Sequence, residues 1–547
     1  MYSIITKNVS SLEKVLPEMN FCANETNSGV CLKNERFSYQ IAYILKEDVP
    51  SCGNRFTIKI DSQIADKIKV YEVQNVPVML GNFANQFDNA YIKRTPSIMP
   101  DLLSEIDGTV MASRGFHRAL WVSAEIDKET KADEYEIKIQ FWDNEKDEVL
   151  GESKFMLKVK NSVLPKQNLI FTQWFHCDCL SSYYGVEPLS EKHWEYIESF
   201  AKTAAENGIN MILTPIFTPA LDTKIGSERP TVQLMDIEYK NGEYVFGFEK
   251  LARWLDMCKK IGIEYLEIAH LYSQWGAEKT PKIVVLENGE PTKKFGWHTD
   301  SLSDEYKEFL SAMLPALTEF LKENWDSKKI YFHISDEPHE EHIERYGKLY
   351  AFVKPYLKDF NLMDAISDYE IYEKGYIDTP VPTIRTIQNF IDHKVENLWA
   401  YYCCAEGDEY LSNRYISMPS CRNRILGIQL YKYNIKGFLN WGYNFYYSQY
   451  SRKLVNPYIT TDADGAFPSG DSFSVYPGQN GALPSLRLFV FFEALQDIRA
   501  LELAEQKVGR EKIVELIDAF GNVTFKEYPL GSEYILNLRD KIYELLD

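Results

Sequence analysis

The sequence predicts two domains: an N-terminal all-β sandwich over residues 1–165, and a (β/α)8 barrel of the TIM type with C-terminal helices over residues 166–547. Three observations support this prediction. Short strand-like runs separated by turn residues fill the first part of the chain. From residue 168 onward, strand-like runs alternate with helix-length amphipathic segments. In that second part, Asn207-Gly208 and Ile261-Gly262 stand where a helix ends and a strand begins.

Six runs in the N-terminal part are rich in β-branched and aromatic residues and favour β-strands. They cover residues 36–46, 54–60, 67–73, 119–126, 134–143 and 152–160. Turn-forming residues separate the runs, and short strands at this spacing are typical of a β-sandwich. The segment Val163-Leu164-Pro165 is the predicted boundary between the domains.

The second part contains eight strand-like runs, the number that a TIM barrel needs. The predicted strands cover residues 169–175, 210–214, 264–269, 329–335, 362–366, 381–384, 398–403 and 437–441. The predicted helices cover residues 191–207, 248–261, 304–324, 341–357, 419–433 and 486–507. The sixth strand has the weakest pattern of the eight.

Two of the connections between strand and helix carry an Asn-Gly pair, at Asn241-Gly242 and Asn288-Gly289. Asn-Gly is the strongest short signal for a β-hairpin, because a type I′ turn needs two residues with positive φ. Each hairpin follows a barrel strand, so we expect both at the carboxyl-terminal face of the barrel, where such enzymes keep their sites. There they would form a wall of a cleft.

Charge and hydropathy exclude several classes of protein. The chain has 80 acidic and 60 basic side chains, which gives a formal net charge of −20. A protein that binds nucleic acid or an anionic membrane surface would present basic residues instead. The longest apolar segment, residues 207–221, contains two prolines and is shorter than the roughly 18 residues of a spanning helix. We therefore expect a soluble protein without nucleic-acid or membrane partners.

The first residues lack the basic and apolar regions of an export signal. If Met1 is the native start, the expected location is the cytoplasm. The nine cysteines are an odd number in a large chain, and they include Cys177, Cys179 and the adjacent pair Cys403-Cys404. This pattern favours reduced, mostly buried thiols over a disulfide scaffold or a structural zinc site.

Aromatic residues make up 14% of the chain, with 36 tyrosines, 30 phenylalanines and 10 tryptophans. Sugar-binding clefts use such side chains, because the C–H faces of a pyranose are apolar and its hydroxyl groups need polar partners. Aromatic-rich strands and interfaces are the alternative explanation.

The strongest chemical signal is the segment KIYFHISDEP at residues 329–338, where an apolar strand runs into the adjacent carboxylates Asp336 and Glu337. At the end of a strand the chain bends, so both side chains can face the barrel mouth. Pro338 restricts the backbone of Glu337. Two carboxyl groups held together differ in proton affinity, which suits acid catalysis of glycosidic cleavage. Capping of the following helix is the structural alternative.

The histidines near this segment do not predict a metal site. His339 and His342 form an HxxH pair, which without further ligands is a weak signal, and His333 lies inside the strand. We expect His333 to be a hydrogen-bonded residue of the barrel interior. No metal and no cofactor are expected.

Other strand ends supply candidate residues for a substrate cleft. Since side chains alternate along a strand, about half of the polar and aromatic residues there must point into the helical layer instead. We select Trp174, His176, His270, Tyr402 and Trp441 as substrate-binding candidates. Tyr476, in the rigid turn Tyr476-Pro477-Gly478, is expected to lie over the barrel mouth. Arg487, Glu493 and Asp497 are interpreted as a structural ion network.

Three motifs in this order resemble glycoside hydrolase family 123 over nearly the whole chain. They are Ser335-Asp336-Glu337-Pro338, Asn440-Trp441-Gly442, and Tyr476-Pro477-Gly478 followed by Ser485-Leu486-Arg487 and Asp497. The resemblance implies a retaining, exo-acting β-N-acetylgalactosaminidase with no cofactor. Its substrate would be a glycan or oligosaccharide that ends in β-linked N-acetylgalactosamine.

The resemblance also implies substrate-assisted catalysis, in which the 2-acetamido oxygen of the sugar attacks the anomeric carbon. Asp336 would hold the acetamido N–H and stabilise the oxazolinium cation, and Glu337 would be the general acid and base. Two sequence neighbours are poorly placed for the conventional retaining mechanism, whose carboxylates lie about 5–5.5 Å apart across the sugar.

Two alternatives stay open from the sequence. One is a conventional two-carboxylate glycosidase acting on sugars without an acetamido group, with Glu267 or Asp364 as nucleophile. The other is a non-catalytic carbohydrate-binding protein. Linkage, aglycone, selectivity against N-acetylglucosamine and oligomeric state are not specified by the sequence.

Overall fold

The computed structural model describes residues 3–18, 24–46, 53–406 and 410–546. It confirms the predicted fold class, a mainly antiparallel β-sandwich followed by a barrel of parallel strands. The sandwich strands are β1 Ile4–Ser10, β2 Ser28–Lys33, β3 Glu35–Leu45, β4 Gly53–Asp61, β5 Ile68–Val78, β6 Ser97–Glu105, β7 Val110–Ser113, β8 Arg118–Ile126, β9 Glu134–Asp143 and β10 Glu148–Val163.

These strands form two five-stranded sheets, with the orders β1-β3-β8-β5-β6 and β2-β10-β9-β4-β7. Strand β9 shows why they form, because exposed and buried residues alternate along it as the period of a half-buried strand requires. Between the sheets, the rings of Tyr39 and Phe155 stack with centroids 4.0 Å apart. All six predicted runs are strands, whereas β1, β2, β6 and β7 were not predicted.

The barrel follows the predicted alternation, with further strands inserted between its second and fourth strands. In chain order the strands are β11 Ile170–Gln173, β12 Met211–Thr214, β13 Asp236–Lys240, β14 Glu243–Gly247, β15 Tyr265–Ile268, β16 Ile283–Glu287, β17 Glu290–Phe295, β18 Ile330–Phe332, β19 Asn361–Ala365, β20 Thr379–Val381, β21 Trp399–Tyr401, β22 Gly437–Asn440, β23 Val475–Gly478 and β24 Gly481–Pro484. Eight of these form the parallel barrel sheet in the order β20-β19-β18-β15-β12-β11-β22-β21.

The backbone at the carboxyl end of β20 closes the barrel against β21. The Tyr401 N–H donates to the Pro382 carbonyl at 3.1 Å, and the Ile384 N–H donates to the Tyr401 carbonyl at 2.9 Å. The sixth barrel strand ends at Val381, the first residue of the predicted run, and this short pairing explains its weak pattern.

Eleven α-helices surround the sheets in the described part of the chain. They are α1 Cys177–Tyr184, α2 Glu191–Glu206, α3 Glu249–Ile261, α4 Asp304–Asn324, α5 Ile343–Val353, α6 Tyr369–Glu373, α7 Ile387–Asp392, α8 Ser420–Lys432, α9 Leu486–Val508, α10 Arg510–Asp518 and α11 Ser532–Leu545. Each of the six predicted helices is present. Gly262 ends α3 in the left-handed conformation, with φ of 88°, as its position in the sequence predicts.

Both Asn-Gly hairpins are confirmed. Asn241 and Gly242 have φ of 54° and 86°, and Asn288 and Gly289 have φ of 53° and 85°. The hairpins β13-β14 and β16-β17 join into one four-stranded sheet in the order β14-β13-β16-β17. The rings of Tyr244 and Phe246 on this sheet pack against the ring of Phe309 of α4.

Buried ion pairs lie within the barrel domain and between the two domains. Arg424 of α8 pairs with Glu493 and Asp497 of α9, with N–O distances of 2.7 Å to each. Arg487 pairs instead with Asp101 of sandwich strand β6, at 2.8 Å. The three charged residues are thus in buried structural ion pairs, as interpreted, but Arg487 belongs to a separate pair and not to one network with Glu493 and Asp497. No helix in the described part of the chain is both long and apolar enough to cross a membrane.

Candidate active site

Asp336 and Glu337 follow the fourth barrel strand, β18, at the carboxyl-terminal face of the barrel. Asp336 is 9% exposed and Glu337 is partly buried. Glu337 has φ of 45°, a conformation that is uncommon for residues other than glycine. The Trp275 N–H donates to the Asp336 carbonyl at 2.9 Å, which ties the bend to the loop after the third barrel strand. The backbone thus turns sharply at the two carboxylates.

Tyr401, the last residue of β21, fixes the Glu337 side chain. Its hydroxyl group donates a hydrogen bond of 2.5 Å to Glu337 Oε1. Burial and the Glu337 carboxylate raise the pKa of the Tyr401 phenol well above its usual value, so the phenol stays a donor. Tyr401 lies within the predicted seventh strand, residues 398–403, but its neighbour Tyr402 is the residue that was selected as a substrate-binding candidate.

The Asp336 carboxyl group has no hydrogen-bond donor among the described residues. Burial, followed by the charge of Glu337, raises its pKa well above the usual range, while the nearby His333 lowers it. The charged form of Asp336 is therefore unfavourable in the absence of a hydrogen-bond donor or a positive charge. For the same reason, a charged Asp336 would stabilise a donor or a developing positive charge placed beside it.

His333 lies buried beneath the pair, between two acidic side chains. Its Nδ1 is 2.9 Å from Asp364 Oδ1 and its Nε2 is 2.6 Å from Glu267 Oε1. Burial alone would lower the pKa of His333, but the hydrogen bonds to Asp364 and Glu267 raise it to about 9. His333 is thus a hydrogen-bonded barrel histidine, as predicted, and it carries a positive charge at neutral pH.

Glu267 and Asp364 are both fully buried, and each accepts hydrogen bonds from several donors. Glu267 accepts hydrogen bonds from Thr172 Oγ1, Trp174 Nε1 and His333. Asp364 accepts hydrogen bonds from His333, the Tyr346 hydroxyl group and the backbone N–H groups of Ile334 and Ser335. A carboxylate occupied in this way is not free to attack a sugar, so the geometry does not favour either residue as a nucleophile.

Trp174 and His270 line the barrel interior next to this cluster. The Trp174 ring meets the His270 ring edge to face, with centroids 5.3 Å apart, while its Nε1–H is held by Glu267. Both His270 ring nitrogens lack a hydrogen-bond partner among the described residues, although the residue is only 3% exposed. Burial lowers the pKa of His270 well below its usual value, so the ring is neutral and offers one donor and one acceptor.

Trp441 is partly buried and lies at the end of the eighth barrel strand. Its Nε1–H donates to Asp471 Oδ2 at 2.9 Å, and its ring contacts the rings of Phe445 and Phe467. Burial raises the pKa of Asp471 to about 6. The ring is therefore rigidly held and stays a candidate wall of the cleft.

Three predicted substrate-binding residues, His176, Tyr402 and Tyr476, are buried and held by other protein groups. The His176 ring is locked between the Trp441 carbonyl and Arg229 Nη2, at 2.9 and 3.2 Å. Burial, and then Arg229, lower the pKa of His176 to about 3, so it is a neutral structural clamp. Tyr402 is 1% exposed and its hydroxyl group points to Asn423 of α8, because it has the opposite strand parity from Tyr401.

Tyr476 does not lie over the barrel mouth. It is fully buried on β23, and its hydroxyl group donates to Asp101 Oδ2 of the sandwich at 2.6 Å. The Tyr476-Pro477-Gly478 segment is therefore part of strand β23 and not a turn, and it contributes to the contact between the domains. No local pattern in the sequence indicates that strand β6 supplies a carboxylate to this position.

His270, His333 and Asp364 also bring three potential metal ligands within 4.8 Å of one another. The two imidazole rings are stacked, with centroids 4.1 Å apart and planes inclined by 16°. An imidazole binds a metal ion in its ring plane, so stacked rings do not converge on one ion. Both nitrogens of His333 are also engaged already. The arrangement suits hydrogen bonding to a substrate better than metal coordination, and the absence of a metal stays a prediction.

The cysteines of the described residues are free thiols. They are Cys31, Cys177, Cys179, Cys258, Cys403, Cys404 and Cys421. Five are buried, and the adjacent pair Cys403-Cys404 is partly buried. Cys22 and Cys52 lie outside the described residues.

The fold and the site define a TIM-barrel enzyme with paired carboxylates at the end of its fourth strand, and comparisons with known proteins agree. The model of the glycoside hydrolase 123 catalytic domain matches residues 174–504. The chain is similar over 100% of its length to 97% of a family 123 glycoside hydrolase from Clostridium perfringens, described in connection with glycolipid glycan hydrolysis. The TM-score is 0.73 at 15% sequence identity.

Other solved structures are much less similar. A β-glucuronidase from Bacteroides uniformis has a TM-score of 0.31 and 12% identity, with 93% of this chain and 50% of that chain covered. A family 5 mannosidase from Rhizomucor miehei has a TM-score of 0.34 and 13% identity, with 60% of this chain and 94% of that chain covered. No curated protein matches the sequence significantly.

The family match covers more than half of the chain. The protein therefore belongs to glycoside hydrolase family 123 and is a glycoside hydrolase.

Proposed function

We propose that this protein is a retaining, exo-acting β-N-acetylgalactosaminidase that works by substrate-assisted catalysis. Asp336 orients the 2-acetamido group, and Glu337 is the general acid and base. The observation that carries the proposal is the buried Asp336 carboxyl group, which has no protein donor and lies beside Glu337. The conventional retaining mechanism would also need a carboxylate of the protein as nucleophile. The two candidates, Glu267 and Asp364, are both already hydrogen-bonded to other side chains of the protein.

The first step closes a ring on the sugar. The acetamido oxygen attacks the anomeric carbon, the glycosidic C–O bond breaks, and Glu337 gives its proton to the leaving oxygen. Asp336 accepts a hydrogen bond from the acetamido N–H as the oxazolinium cation forms. Because burial disfavours a lone charge on Asp336, the attraction to this cation is stronger in the transition state than in the ground state.

The second step restores the enzyme. Glu337 takes a proton from a water molecule, whose oxygen attacks the anomeric carbon and opens the oxazolinium ring. Two displacements on the same carbon retain its configuration. His270 and Trp441 are proposed to contact the bound sugar, His270 through its two unpartnered nitrogens and Trp441 through its ring.

The first test compares hydrolysis of aryl β-glycosides of N-acetylgalactosamine, N-acetylglucosamine, galactose and glucose under matched conditions. We expect hydrolysis of the acetamido sugars, with N-acetylgalactosamine the best substrate, because only these sugars carry the internal nucleophile. Hydrolysis of galactosides or glucosides at comparable rates would contradict the substrate-assisted mechanism. If none of the four glycosides is hydrolysed, the proposed substrate class is contradicted.

Variants of the two carboxylates separate their roles. Glu337→Gln should lower kcat by about 10²–10⁴-fold on glycosides with poor leaving groups and much less on activated aryl glycosides, which need little acid assistance. Asp336→Asn should impair all acetamido substrates, whatever the leaving group. Equal losses in Glu337→Gln on both kinds of substrate would argue against its role as acid, and a near-normal Asp336→Asn enzyme would argue against contact with the acetamido group.

A further inference from the structure

Two loops at the carboxyl-terminal face each carry an aromatic residue and are linked by hydrogen bonds to Asp336 and to the nearby Asp222. Trp275 follows the third barrel strand and is bound through its N–H to the Asp336 carbonyl, at 2.9 Å. Tyr450 follows the eighth strand, and its N–H donates to Asp222 Oδ2 at 3.0 Å. Asp222 in turn contributes to the electrostatic field at Asp336. Both loops are therefore connected to the catalytic centre.

The two rings and a neighbouring cation form one surface, which we call the mouth platform and define as Trp275, Tyr450 and Arg452. The rings meet edge to face, with centroids 5.7 Å apart and planes inclined by 82°. The Arg452 guanidinium group lies 5.0 Å from the Tyr450 ring centroid. Trp275 is 37% exposed and Arg452 is exposed, and Arg452 makes no ion pair with any described residue.

The backbone of the platform is strained. Trp275 has φ of 52° and Tyr450 has φ of 61°, values that are rare for bulky side chains. Asp222, at 39°, and Glu337, at 45°, are in the same region of the Ramachandran plot. Backbone strain of this kind clusters at ligand-binding and catalytic sites. Here it holds a large aromatic ring at the protein surface, where burial contributes least to stability.

We propose that the mouth platform binds the sugar that adjoins the hydrolysed residue, on its leaving-group side. This inference rests on the proposed function. In an exo-acting enzyme the terminal sugar fills the pocket, so only the leaving group extends into the mouth. The flat rings of Trp275 and Tyr450 match the C–H face of a pyranose, and Arg452 offers five N–H donors to its hydroxyl groups. The platform would make the enzyme prefer oligosaccharides over small aglycones.

The test uses Trp275→Asn, because asparagine tolerates positive φ and removes the ring without adding strain. We expect kcat/KM to fall by about tenfold on a trisaccharide ending in β-linked N-acetylgalactosamine, and by no more than about twofold on the aryl glycoside of the same sugar. Trp275→Phe should restore much of the loss. The control is Phe520→Ala, which removes another exposed aromatic ring far along the chain and should change neither value.

The proposal is overturned if Trp275→Asn lowers kcat/KM equally on both substrates. It is also overturned if the variant keeps its kcat/KM on the trisaccharide. If the wild-type enzyme cleaves neither substrate, the proposed function is wrong. In that case a binding measurement still tests whether the mouth platform holds the sugar. Calorimetric titration of the trisaccharide into Glu337→Gln, with and without Trp275→Asn, should give a Kd about tenfold weaker for the double variant. An unchanged Kd, or no binding to Glu337→Gln, would overturn the platform.

Discussion

Tyr401 directly contacts Glu337, the proposed general acid and base. Its buried hydroxyl group donates a 2.5 Å hydrogen bond to Glu337 Oε1, whose own backbone is held at a positive φ. A hydrogen bond to a charged group contributes about 1.5–3 kcal/mol. We therefore expect Tyr401 to be a positioning residue, which fixes the orientation of Glu337 without touching the reacting atoms.

We expect Tyr401→Phe to lower kcat by about tenfold or more on glycosides with poor leaving groups, with a smaller effect on KM, because Glu337 is then less precisely aimed. Activated aryl glycosides should be affected less, since their departure needs little proton transfer. Steady-state kinetics on both kinds of substrate measures this split. The control is Tyr402→Phe, whose hydroxyl group faces Asn423 in the helical layer and should matter little to the ratio. A uniform loss on both substrates would indicate a purely structural role for Tyr401.

At the scale of the element, strand parity explains which sequence-based predictions succeeded. The barrel strands read as apolar runs because they are buried on both faces, so their positions are predictable but their orientation is not. Tyr401 ends β21 and Tyr402 follows it, and the sequence does not distinguish these two tyrosines. Only the structure shows that Tyr401 faces Glu337 and Tyr402 faces α8. The carboxylate pair was recognisable because the strand ends in two acids and a proline, which is a local signal.

Contacts between distant elements were not predictable from local patterns. Trp275 and Tyr450 are separated by 175 positions in sequence, yet their rings meet at the mouth of the barrel. The conformation of the loops at Trp275 and Tyr450 was not predictable either, because bulky residues rarely adopt a positive φ. The two hairpins, in contrast, were predictable from local sequence. Their Asn-Gly pairs supply the two positive φ angles that the turn needs, and both hairpins are present at the predicted positions.

At the scale of the whole molecule, the sandwich and the barrel are joined by buried polar contacts rather than by a flexible linker. Asp101 of β6 accepts hydrogen bonds from Arg487 and from the Tyr476 hydroxyl group. The helix that begins with Leu486 also contacts Ser11, the residue after β1, whose hydroxyl group donates to Glu493. Beyond the barrel, the Lys160 amino group of the sandwich donates to the Tyr543 carbonyl of α11. These contacts predict that the two domains unfold together.

Asp101→Asn tests that prediction, because it leaves the Arg487 guanidinium group buried without a balancing charge. Removing one partner of a buried ion pair destabilises a protein by about 3–5 kcal/mol. We expect a loss of this order in the free energy of unfolding by urea, and one cooperative transition in the wild-type protein. The control, Asp61→Asn, breaks the exposed pair with Lys138 and should cost less than about 1 kcal/mol. If Asp101→Asn lowers the free energy of unfolding as little as the control does, or if the wild-type protein unfolds in two separate transitions, the domains are stabilised independently. The Asp101 carboxylate lies in the interface between the domains, so the variant should keep its kcat while folded.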